Sequence, residues 1–227
     1  MNNDVVIITG GLGRLGRAAA AAAKARGART ALIDHSPLPT DAPDADLHLC
    51  GVDLTDPAAA QRTVDTVRER LGAVHVLLNI AGGFIWETLD GGSPDSWGRM
   101  HAMNLLTAVN TSRAALPHLV ESGAGRIVNV GAAGAVKAAA GMGPYAASKA
   151  GVHRFTEAMA EELKHRNVTV NAVLPSILDT PQNRADMPDV DPAKWVKVED
   201  LAAVMLFLAS REASAITGAL LPVTGRV

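Results

Sequence analysis

The amino-acid sequence predicts an α/β fold, a doubly wound parallel sheet of about seven strands with helices on both faces. Short apolar runs alternate along the chain with longer segments of helical character, as in strand–helix–strand units joined by right-handed crossovers. Several of these runs are apolar throughout and lack the two-residue alternation of a half-exposed strand. That pattern is typical of strands whose sheet is covered by helices on both faces.

The predicted elements follow in order along the chain. Strands are expected at Val5–Thr9, Ala31–Asp34, Leu47–Cys50, Val76–Ala81, Arg126–Val130, Val168–Leu174 and Ala219–Val223. Helices are expected at Arg14–Arg26, Pro57–Leu71, Pro94–Val120, Tyr145–Arg166 and Glu199–Ala209. No linker, repeat or low-complexity segment divides residues 1–227, so we expect one domain. The stretch Pro175–Lys194 is the one long irregular segment, and long loops of that kind are usually functional or mobile.

Composition places the chain among globular proteins and argues against several classes of function. Of its 227 residues, 48% are hydrophobic and 19% are charged, which excludes a disordered or fibrous chain. The formal net charge of -2 gives no reason to expect nucleic acid or an anionic membrane surface as a partner. No apolar run approaches the length of a membrane span.

The cysteine and histidine content indicates neither disulfide nor metal chemistry. Cys50 is the only cysteine, so no disulfide forms within the chain. The seven histidines are scattered without the spacing of metal ligands, and we therefore expect no metal site. Asn2, Asn3 and Asp4 do not resemble the basic start of a signal peptide, so a cytoplasmic location is expected.

The segment "TGGLGRLG" follows the first predicted strand directly and leads into the first predicted helix. Gly10, Gly13 and Gly16 permit a tight turn and a close approach of ligand to backbone. The helix that begins with Arg14 and Leu15 presents its free N–H groups to a pyrophosphate. An ordinary strand–helix turn is the alternative. The strand before, the helix after and an acid about 20 residues on favour a single-domain Rossmann fold that binds a dinucleotide.

That acid is Asp34, which ends the second predicted strand. A carboxylate at this position can accept hydrogen bonds from both ribose hydroxyls of NAD, and it repels a 2′-phosphate. A solvated turn aspartate is the alternative. Arg14 argues for NADP(H), since it can reach a phosphate from within the glycine loop. Because Asp34 occupies the position of the discriminating group, we expect NAD(H) to be favoured over NADP(H).

Two further strand ends offer cofactor contacts. "GVDLTD" after the third strand provides Asp53, with Leu54 beside it, as an acceptor for the adenine amino group. A helix N-cap is the alternative, although Asp56 fits that role better. "NIAGG" after the fourth strand places small residues where the backbone can approach the cofactor, and a simple turn explains it nearly as well. These small residues are Ala81, Gly82 and Gly83.

Tyr145 and Lys149 have the spacing that puts two side chains on one face of a helix. Hydride transfer from nicotinamide requires a proton at the other end of the reduced bond. A neighbouring ammonium is expected to lower the pKa of a tyrosine and so make it a better acid–base group. A chance pair on a solvated helix is the alternative, but Tyr145 is the only tyrosine of the chain. Asn104 is a candidate to hold a water that links the lysine to solvent.

Together these motifs resemble the short-chain dehydrogenases/reductases. "TGGLGRLG", "NIAGG", the asparagine of "HAMNLL", "YAASK" and "NAVLPSILDTP" occur in the order and approximate spacing of that family. The resemblance covers nearly the whole chain, and it implies Tyr145, Lys149 and Asn104 as catalytic residues. It adds Pro175 and Ile177 to the cofactor-binding residues.

Two positions depart from the usual family pattern. Ala132 stands where the family commonly has a serine, thirteen residues before the tyrosine, and Arg14 replaces the middle glycine of the usual motif. Both departures resemble the branch of NADH-dependent dihydropteridine reductases. So do the "AGG" followed by an aromatic residue, the "GM" pair before the tyrosine, and the long stretch "LPSILDTPQNRADMP".

The branch resemblance implies reduction of quinonoid dihydropterin, an electron-poor heterocycle that does not need a serine to polarise a carbonyl. Ser176–Met187 is then the expected substrate lid, and Trp86 and Trp97 are candidates to border a flat substrate, although helix packing explains Trp97 equally well. His153 lies one turn beyond Lys149, where a packed or surface histidine explains it better than a role in the site.

Two alternatives stay open at this point. One is a short-chain reductase of another carbonyl, alcohol or imine substrate. The other is a non-catalytic NAD-binding regulatory subunit, which loss of the serine would permit. In either case a small molecule is the expected partner, and pairing of the helices Pro94–Val120 and Tyr145–Arg166, as in related enzymes, predicts a homodimer or homotetramer.

Overall fold

The computed structural model describes residues 1–227 and contains one large sheet. The strands are β1 Val5–Thr9, β2 Arg29–Asp34, β3 Leu47–Cys50, β4 Val76–Asn79, β5 Arg126–Val130, β6 Thr169–Pro175, β7 Leu178–Asp179, β8 Val196–Lys197 and β9 Leu220–Val223. The α-helices are α1 Arg14–Ala25, α2 Pro57–Leu71, α3 Pro94–His101, α4 Thr107–Glu121, α5 Gly143–Leu163, α6 Pro181–Asp186 and α7 Val198–Leu208. A π-helical turn, Ala102–Leu106, joins α3 to α4.

The seven strands of the large sheet are parallel and run in the order β3-β2-β1-β4-β5-β6-β9. This confirms the predicted doubly wound sheet with helices on both faces. The strand order reverses between β1 and β4, so the crossovers leave in opposite directions there and open a crevice at the carboxyl ends of the strands. That edge of the sheet is where a ligand of such a fold binds.

Each face of the sheet has its own hydrophobic core. On one face α2, α4 and α5 pack against side chains such as Ile7 and Ile127, and on the other α1 and α7 pack against Ile8 and Val128. All five residues of β1 and all seven of β6 are buried. Burial on both faces is the physical reason for the continuous apolar runs in the sequence.

The structure differs from the prediction in two helical regions. The single helix predicted at Pro94–Val120 is observed as α3, the π-helical turn and α4. The stretch Pro175–Lys194 was expected to be irregular, but it contains β7, α6 and a short 3₁₀ turn, with β7 pairing to β8 just beyond it. Elements this short produce no hydrophobic periodicity, so the pattern of the sequence did not reveal them.

The fourth strand is also shorter than the predicted Val76–Ala81. It ends at Asn79 because the next two N–H groups, those of Ile80 and Ala81, donate to the hydroxyl oxygen of Thr9 at 3.0 and 3.1 Å. A side chain at the end of β1 thus replaces a neighbouring strand as the acceptor. The chain turns away from the sheet at this point and forms one wall of the crevice.

Candidate functional site

A groove of about 840 Å³ lies at the carboxyl ends of β1, β2 and β4. It is lined by ten of the residues that the sequence predicted for the cofactor site. They are Gly10, Gly13, Arg14, Leu15, Gly16, Asp34, Asp53, Leu54, Ala81 and Gly82. The remaining predicted cofactor residues, Gly83, Tyr145, Lys149, Pro175 and Ile177, do not line the groove itself.

The glycine loop is built so that no side chain fills the groove. Gly10 has a φ of +63°, which favours glycine, and a Cβ on Gly16 would lie 2.2 Å from the carbonyl oxygen of Gly10. Helix α1 begins after Gly13 without a side-chain cap, so the N–H groups of its first turn have no side-chain acceptor. Free N–H groups and the positive end of the helix dipole suit a pyrophosphate, and the loop therefore fits a dinucleotide.

Asp34 is fixed at the end of β2 by two backbone donors. Its Oδ2 accepts a hydrogen bond from Leu12 N at 3.0 Å, within the glycine loop, and its Oδ1 accepts one from Ser36 N at 2.9 Å. Each oxygen keeps a lone pair for a further donor. Arg14 also lines the groove and is exposed, whereas Arg17 is held by the side chain and carbonyl of Asp41.

The adenine end of the groove has a second ordered carboxylate. Asp53 Oδ1 accepts from the hydroxyl and the N–H of Thr55 at 2.7 and 2.9 Å, and these hydrogen bonds lower the pKa of Asp53. Asp56 caps α2 by accepting from Ala58 N and Ala59 N, which confirms that the cap falls to Asp56. Asp53 is therefore left to face the groove.

Asn104 connects the loop after β4 to helix α5. Its Oδ1 accepts from Gly83 N at 2.9 Å, while its Nδ2 donates to Gly83 O at 3.1 Å and to Ser148 Oγ at 3.0 Å. A Cβ on Gly82 would lie 2.4 Å from Asn104 Oδ1 and 3.4 Å from Lys149 Nζ. The side chain of Asn104 thus joins the loop after β4 to α5, and its expected role in holding a water stays a prediction.

Lys149 and Tyr145 lie side by side on α5, but their electrostatics differ from the expectation. Lys149 is buried, and its Nζ donates to the carbonyl oxygen of Val130, 2.8 Å away, at the end of β5. Burial lowers the pKa of Lys149 to about 8 and raises the pKa of Tyr145 to about 12. Burial of the phenol is the cause of the raised pKa of Tyr145, and the lowering expected from Lys149 is not observed.

Ala132, at the position of the missing serine, lies buried next to the imidazole of His153. Ala132 is 3% exposed, and its N–H donates to His153 Nε2 at 3.3 Å. Burial, Arg154 and Lys149 lower the pKa of His153, which favours the neutral ring that this hydrogen bond requires. His153 is therefore a packed residue in contact with the segment after β5.

Aromatic residues form the outer edge of the site. The rings of Phe84 and Tyr145 meet edge-to-face with centroids 4.9 Å apart. The exposed ring of Trp86 lies against Gly141, where a Cβ would come within 2.2 Å of it, and Trp97 approaches Gly143 in the same way at 3.3 Å. These contacts bring both tryptophans next to the start of α5, close to Tyr145.

Three residues of the site were not named individually in the predictions from the sequence. Thr9 holds the turn after β4, Ser148 links Asn104 to Tyr145 by donating to the carbonyl oxygen of Tyr145, and Leu178 lines the groove. Thr9 and Ser148 stand inside the quoted motifs "TGG" and "YAASK", so a search of those motifs for small hydroxyl residues would have found them. Leu178 lies in the predicted lid, and nothing in its sequence context distinguishes it from Pro175 or Ile177.

The structure meets the requirements of neither a metal site nor a membrane-spanning helix. The structure contains no group of three or more His, Cys, Asp or Glu side chains that could hold a metal ion. None of the helices combines the length and the apolar character needed to cross a membrane.

Comparison with known proteins connects this geometry to a family. Residues 4–191 match the family model described as short chain dehydrogenase. The 3-oxoacyl-(acyl-carrier-protein) reductase of Vibrio harveyi is 35% identical over 182 residues, which cover 77% of this chain and 75% of that protein. Meso-2,3-butanediol dehydrogenase of Serratia marcescens is 34% identical over 237 residues, which cover 99% of this chain and 94% of that protein.

Solved structures agree with the sequence relatives. Aldohexose dehydrogenase of Thermoplasma acidophilum superposes with a TM-score of 0.89 at 28% identity, covering 99% of this chain and 93% of that one. Carveol dehydrogenase of Mycobacterium avium, solved in complex with NAD, superposes with a TM-score of 0.87 at 28% identity, covering 99% and 97%. The chain, an NAD(P)-dependent oxidoreductase by descent and by fold, belongs to the short-chain dehydrogenase family.

Proposed function

We propose that this protein is an NADH-dependent reductase of an activated, electron-poor heterocycle, with quinonoid dihydropterin as the first candidate substrate. The observation that carries the proposal is the alanine at the position of the family serine, thirteen residues before Tyr145. Ala132 occupies the serine position, and its N–H is taken up by His153. The site therefore supplies one proton donor and no second side-chain donor to polarise a carbonyl.

Reduction of a C=N or C=O bond adds a hydride at one end and a proton at the other. An ordinary ketone gains several kcal/mol of transition-state stabilisation from a positioned donor to its oxygen, and this site lacks that side chain. A substrate that is already electron-poor needs less of this help. Phe84 and Trp86, together with Trp97, give the outer edge of the site flat apolar surfaces, which suit a planar ring.

Each residue of the site has a role in the proposed reaction. NADH would supply the hydride, held by the glycine loop at its pyrophosphate and by Asp34 at the adenine ribose. Tyr145 would donate the proton, and Lys149, held by Val130 O, would place its ammonium beside the phenol and the nicotinamide ribose. Because burial raises the pKa of Tyr145 to about 12, the phenol stays protonated at neutral pH, and a basic ring nitrogen is a better acceptor for its proton than water.

The cofactor preference rests on Asp34. Its carboxylate is fixed by Leu12 N and Ser36 N, so it cannot move away from a 2′-phosphate without losing two hydrogen bonds. We expect kcat/KM to favour NADH over NADPH by at least about tenfold, or about 1.4 kcal/mol. Asp34→Ala should reduce this preference. Asp44→Ala, which removes a carboxylate that pairs with Lys24 and does not line the groove, is the matched control. A measured preference for NADPH in the unaltered protein would assign the decision to Arg14 instead.

A second candidate function is a secondary-alcohol dehydrogenase. It is favoured by the Serratia marcescens relative, meso-2,3-butanediol dehydrogenase, whose similarity extends over 99% of this chain. A panel of quinonoid dihydropterin, simple ketones, diketones and imines, each with NADH, separates the two functions. Oxidation of NADH with dihydropterin at a rate well above that with any ketone supports the proposal, and the reverse order supports the alternative. Binding of NADH without turnover on any member would indicate the non-catalytic regulatory subunit.

The segment Ser176–Met187 is the proposed substrate lid. It is tied internally by an ion pair between Arg184 and Asp179 at 2.6 Å and by Asn183 Nδ2, which donates to Leu178 O at 2.8 Å. Leu178 lines the groove, so movement of the lid would open or close one wall. We also propose a homodimer or homotetramer formed through α4 and α5, which light scattering of the purified protein would test.

A further inference from the structure

A second cavity lies at the opposite edge of the sheet from the cofactor groove. It has a volume of about 570 Å³ and is placed where β1, β4 and β5 begin and where α1, α4 and α7 end. We call it the amino-end cavity. Its charged and imidazole groups are Asp4, Arg26, His75, Arg126, Arg211 and Glu212. None of them takes part in the proposed reaction.

Arg126, the first residue of β5, is the inner wall of this cavity and is 4% exposed. Its Nη1 donates to Gly125 O at 2.8 Å and its Nε to Ser210 O at 3.3 Å. It takes part in none of the ion pairs of the structure. Buried guanidinium groups are usually paired with an anion. Asp4 lines the same cavity and attracts Arg126, but it does not lie within ion-pair distance of it.

The third nitrogen of that guanidinium is available to a ligand. Nη2 makes no hydrogen bond to the protein, unlike Nη1 and Nε. The fully enclosed side-chain atoms without a partner are Thr30 Oγ1, Asn79 Oδ1, Thr169 Oγ1 and Trp195 Nε1. Because Arg126 Nη2 is not among them, it is open to the amino-end cavity rather than sealed in the core.

Other donors reach the cavity from different segments. His75 Nδ1 accepts from Val5 N at 2.9 Å, so in the neutral ring the proton resides on Nε2, which is then a donor. Arg26 and Arg211 are exposed at the rim, and neither forms an ion pair. Burial and the proximity of Arg211 lower the pKa of Arg126, and the smaller opposing effect of the Asp4 carboxylate does not offset them.

The cavity also contains negative charges, and the balance of charges determines which ligand charge is favoured. Asp4 and Glu212 line the cavity, and the carbonyl ends of three helices there favour cations. Three arginines against two carboxylates leave an excess of one positive charge, so a singly charged anion gains little. A dianion doubles both its attraction to the arginines and its repulsion by the carboxylates, so it interacts with that excess about twice as strongly as a monoanion does. A tetrahedral anion can also accept from donors on several sides, which a planar carboxylate cannot.

We propose that the amino-end cavity binds a phosphate-type dianion, with Arg126 Nη2 as its innermost donor and Arg211, Arg26 and His75 around it. The site lies across the sheet from the cofactor groove and does not depend on the proposed reaction. Free inorganic phosphate and the phosphate group of a small phosphate ester share the required chemistry. They differ because the organic part of an ester would also occupy the rest of the cavity.

The test is calorimetric titration of the full chain with inorganic phosphate and with glycerol phosphate, at constant ionic strength. Saturable binding of phosphate is expected. Arg211→Gln should raise the Kd at least about tenfold, the scale of a lost charge-assisted hydrogen bond, and Asp4→Asn should lower it. Arg62→Gln removes an equal charge from an exposed position on α2 that lines neither the cavity nor the groove, and it should leave the Kd unchanged. Tighter binding of the ester than of phosphate would identify an ester as the ligand.

Binding at the glycine loop must be distinguished from binding at the cavity. The titration is therefore repeated with the groove filled by saturating NADH, which should leave the phosphate Kd unchanged. If NADH abolishes binding, if Arg211→Gln and Asp4→Asn have no effect, or if no saturable binding occurs, the proposal is wrong. Because Arg126→Gln disturbs a buried side chain, the rim variant Arg211→Gln carries the conclusion whether or not Arg126→Gln folds.

Discussion

The two ends of strand β5 each hold a buried cation, and the two cations are held for different purposes. At the carboxyl end, Lys149 Nζ donates to the carbonyl oxygen of Val130. At the amino end, Arg126 donates to Gly125 O and Ser210 O. Burial lowers the pKa of both, but only the lysine is brought to about 8. An arginine stays charged at any pH at which the protein is folded.

The difference in pKa between the two cations suits the two ends of the strand to different roles. A cation that can lose its proton near neutral pH can take part in proton transfer, and it stands beside Tyr145. A cation that cannot lose its proton is suited to a fixed charge, and it stands in the amino-end cavity. The same strand thus positions a titratable group at one end and a permanent charge at the other.

The largest effect is expected from removing the hydroxyl of Tyr145, the proposed proton donor beyond the carboxyl end of β5. Tyr145→Phe should lower kcat by about 10² or more, the usual scale for a lost general acid, while the Kd for NADH changes little. Steady-state rates and fluorescence titration of NADH measure the two quantities. Arg62→Gln, at an exposed position of α2 that lines neither the groove nor the amino-end cavity, should keep full activity. Near-normal turnover of Tyr145→Phe would mean that protons come from solvent and that the pair on α5 is structural.

Replacing the titratable cation should change how stability depends on pH. In the folded chain the pKa of Lys149 is about 8, against 10.5 when unperturbed. Between these pH values the unfolded chain binds more protons, so stability rises with pH in the wild type, and Lys149→Met lacks this rise. Between about pH 7 and about pH 10, the free energy of unfolding of the wild type should therefore rise by about 2–3 kcal/mol more than that of Lys149→Met.

Two control variants test whether burial of the lysine causes this pH dependence. Lys164→Met, at the exposed end of α5, should show no such gain, because its ammonium is in water in both states. Arg126→Met should show none either, because a guanidinium is charged throughout that range. Urea denaturation at each pH provides the free energies. Equal pH dependence of wild type and Lys149→Met would show that the lysine is not desolvated.

The smallest effect is expected two residues beyond the carboxyl end of β5. Ala132→Ser should change turnover of quinonoid dihydropterin by less than about twofold, because an activated substrate gains little from another donor. An ordinary ketone should be reduced faster than by the wild type, since its developing oxyanion is stabilised by a positioned hydroxyl. Ala133→Ser is the matched control. A large gain on dihydropterin would show that the missing serine had weakened the enzyme, and the proposed reason for its absence would fail.

Much of the fold follows from the sequence because burial leaves a direct record there. The seven strands of the large sheet appear as apolar runs, and the glycine loop and Asp34 lie at fixed distances along the chain from the first strand. Their placement around one groove follows from parallel strands meeting at one edge. Those parts of the site were therefore predictable residue by residue.

The rest depends on contacts between distant residues or on solvent exclusion. The contact between His153 and Ala132 joins residues 21 positions apart, and no local pattern records it. The pKa of Tyr145 was expected to fall because the spacing reveals a neighbouring lysine, but spacing says nothing about how much water reaches the phenol. Arg126 is similar, since its place at the start of a strand does not reveal that it faces a cavity.

The π-helical turn Ala102–Leu106 has a consequence for how chains of different length can be compared. Such a turn contains one residue more than an α-helical turn. The turn absorbs this extra residue, so deleting one residue there would restore regular α-helical winding while α3 and α4 keep their buried faces, including Ser96 and Met100. Ala102–Leu106 is therefore where this helical region is expected to accept a single-residue deletion. In a comparison with a chain one residue shorter here, the position of the gap within the turn decides which residue is matched to Asn104.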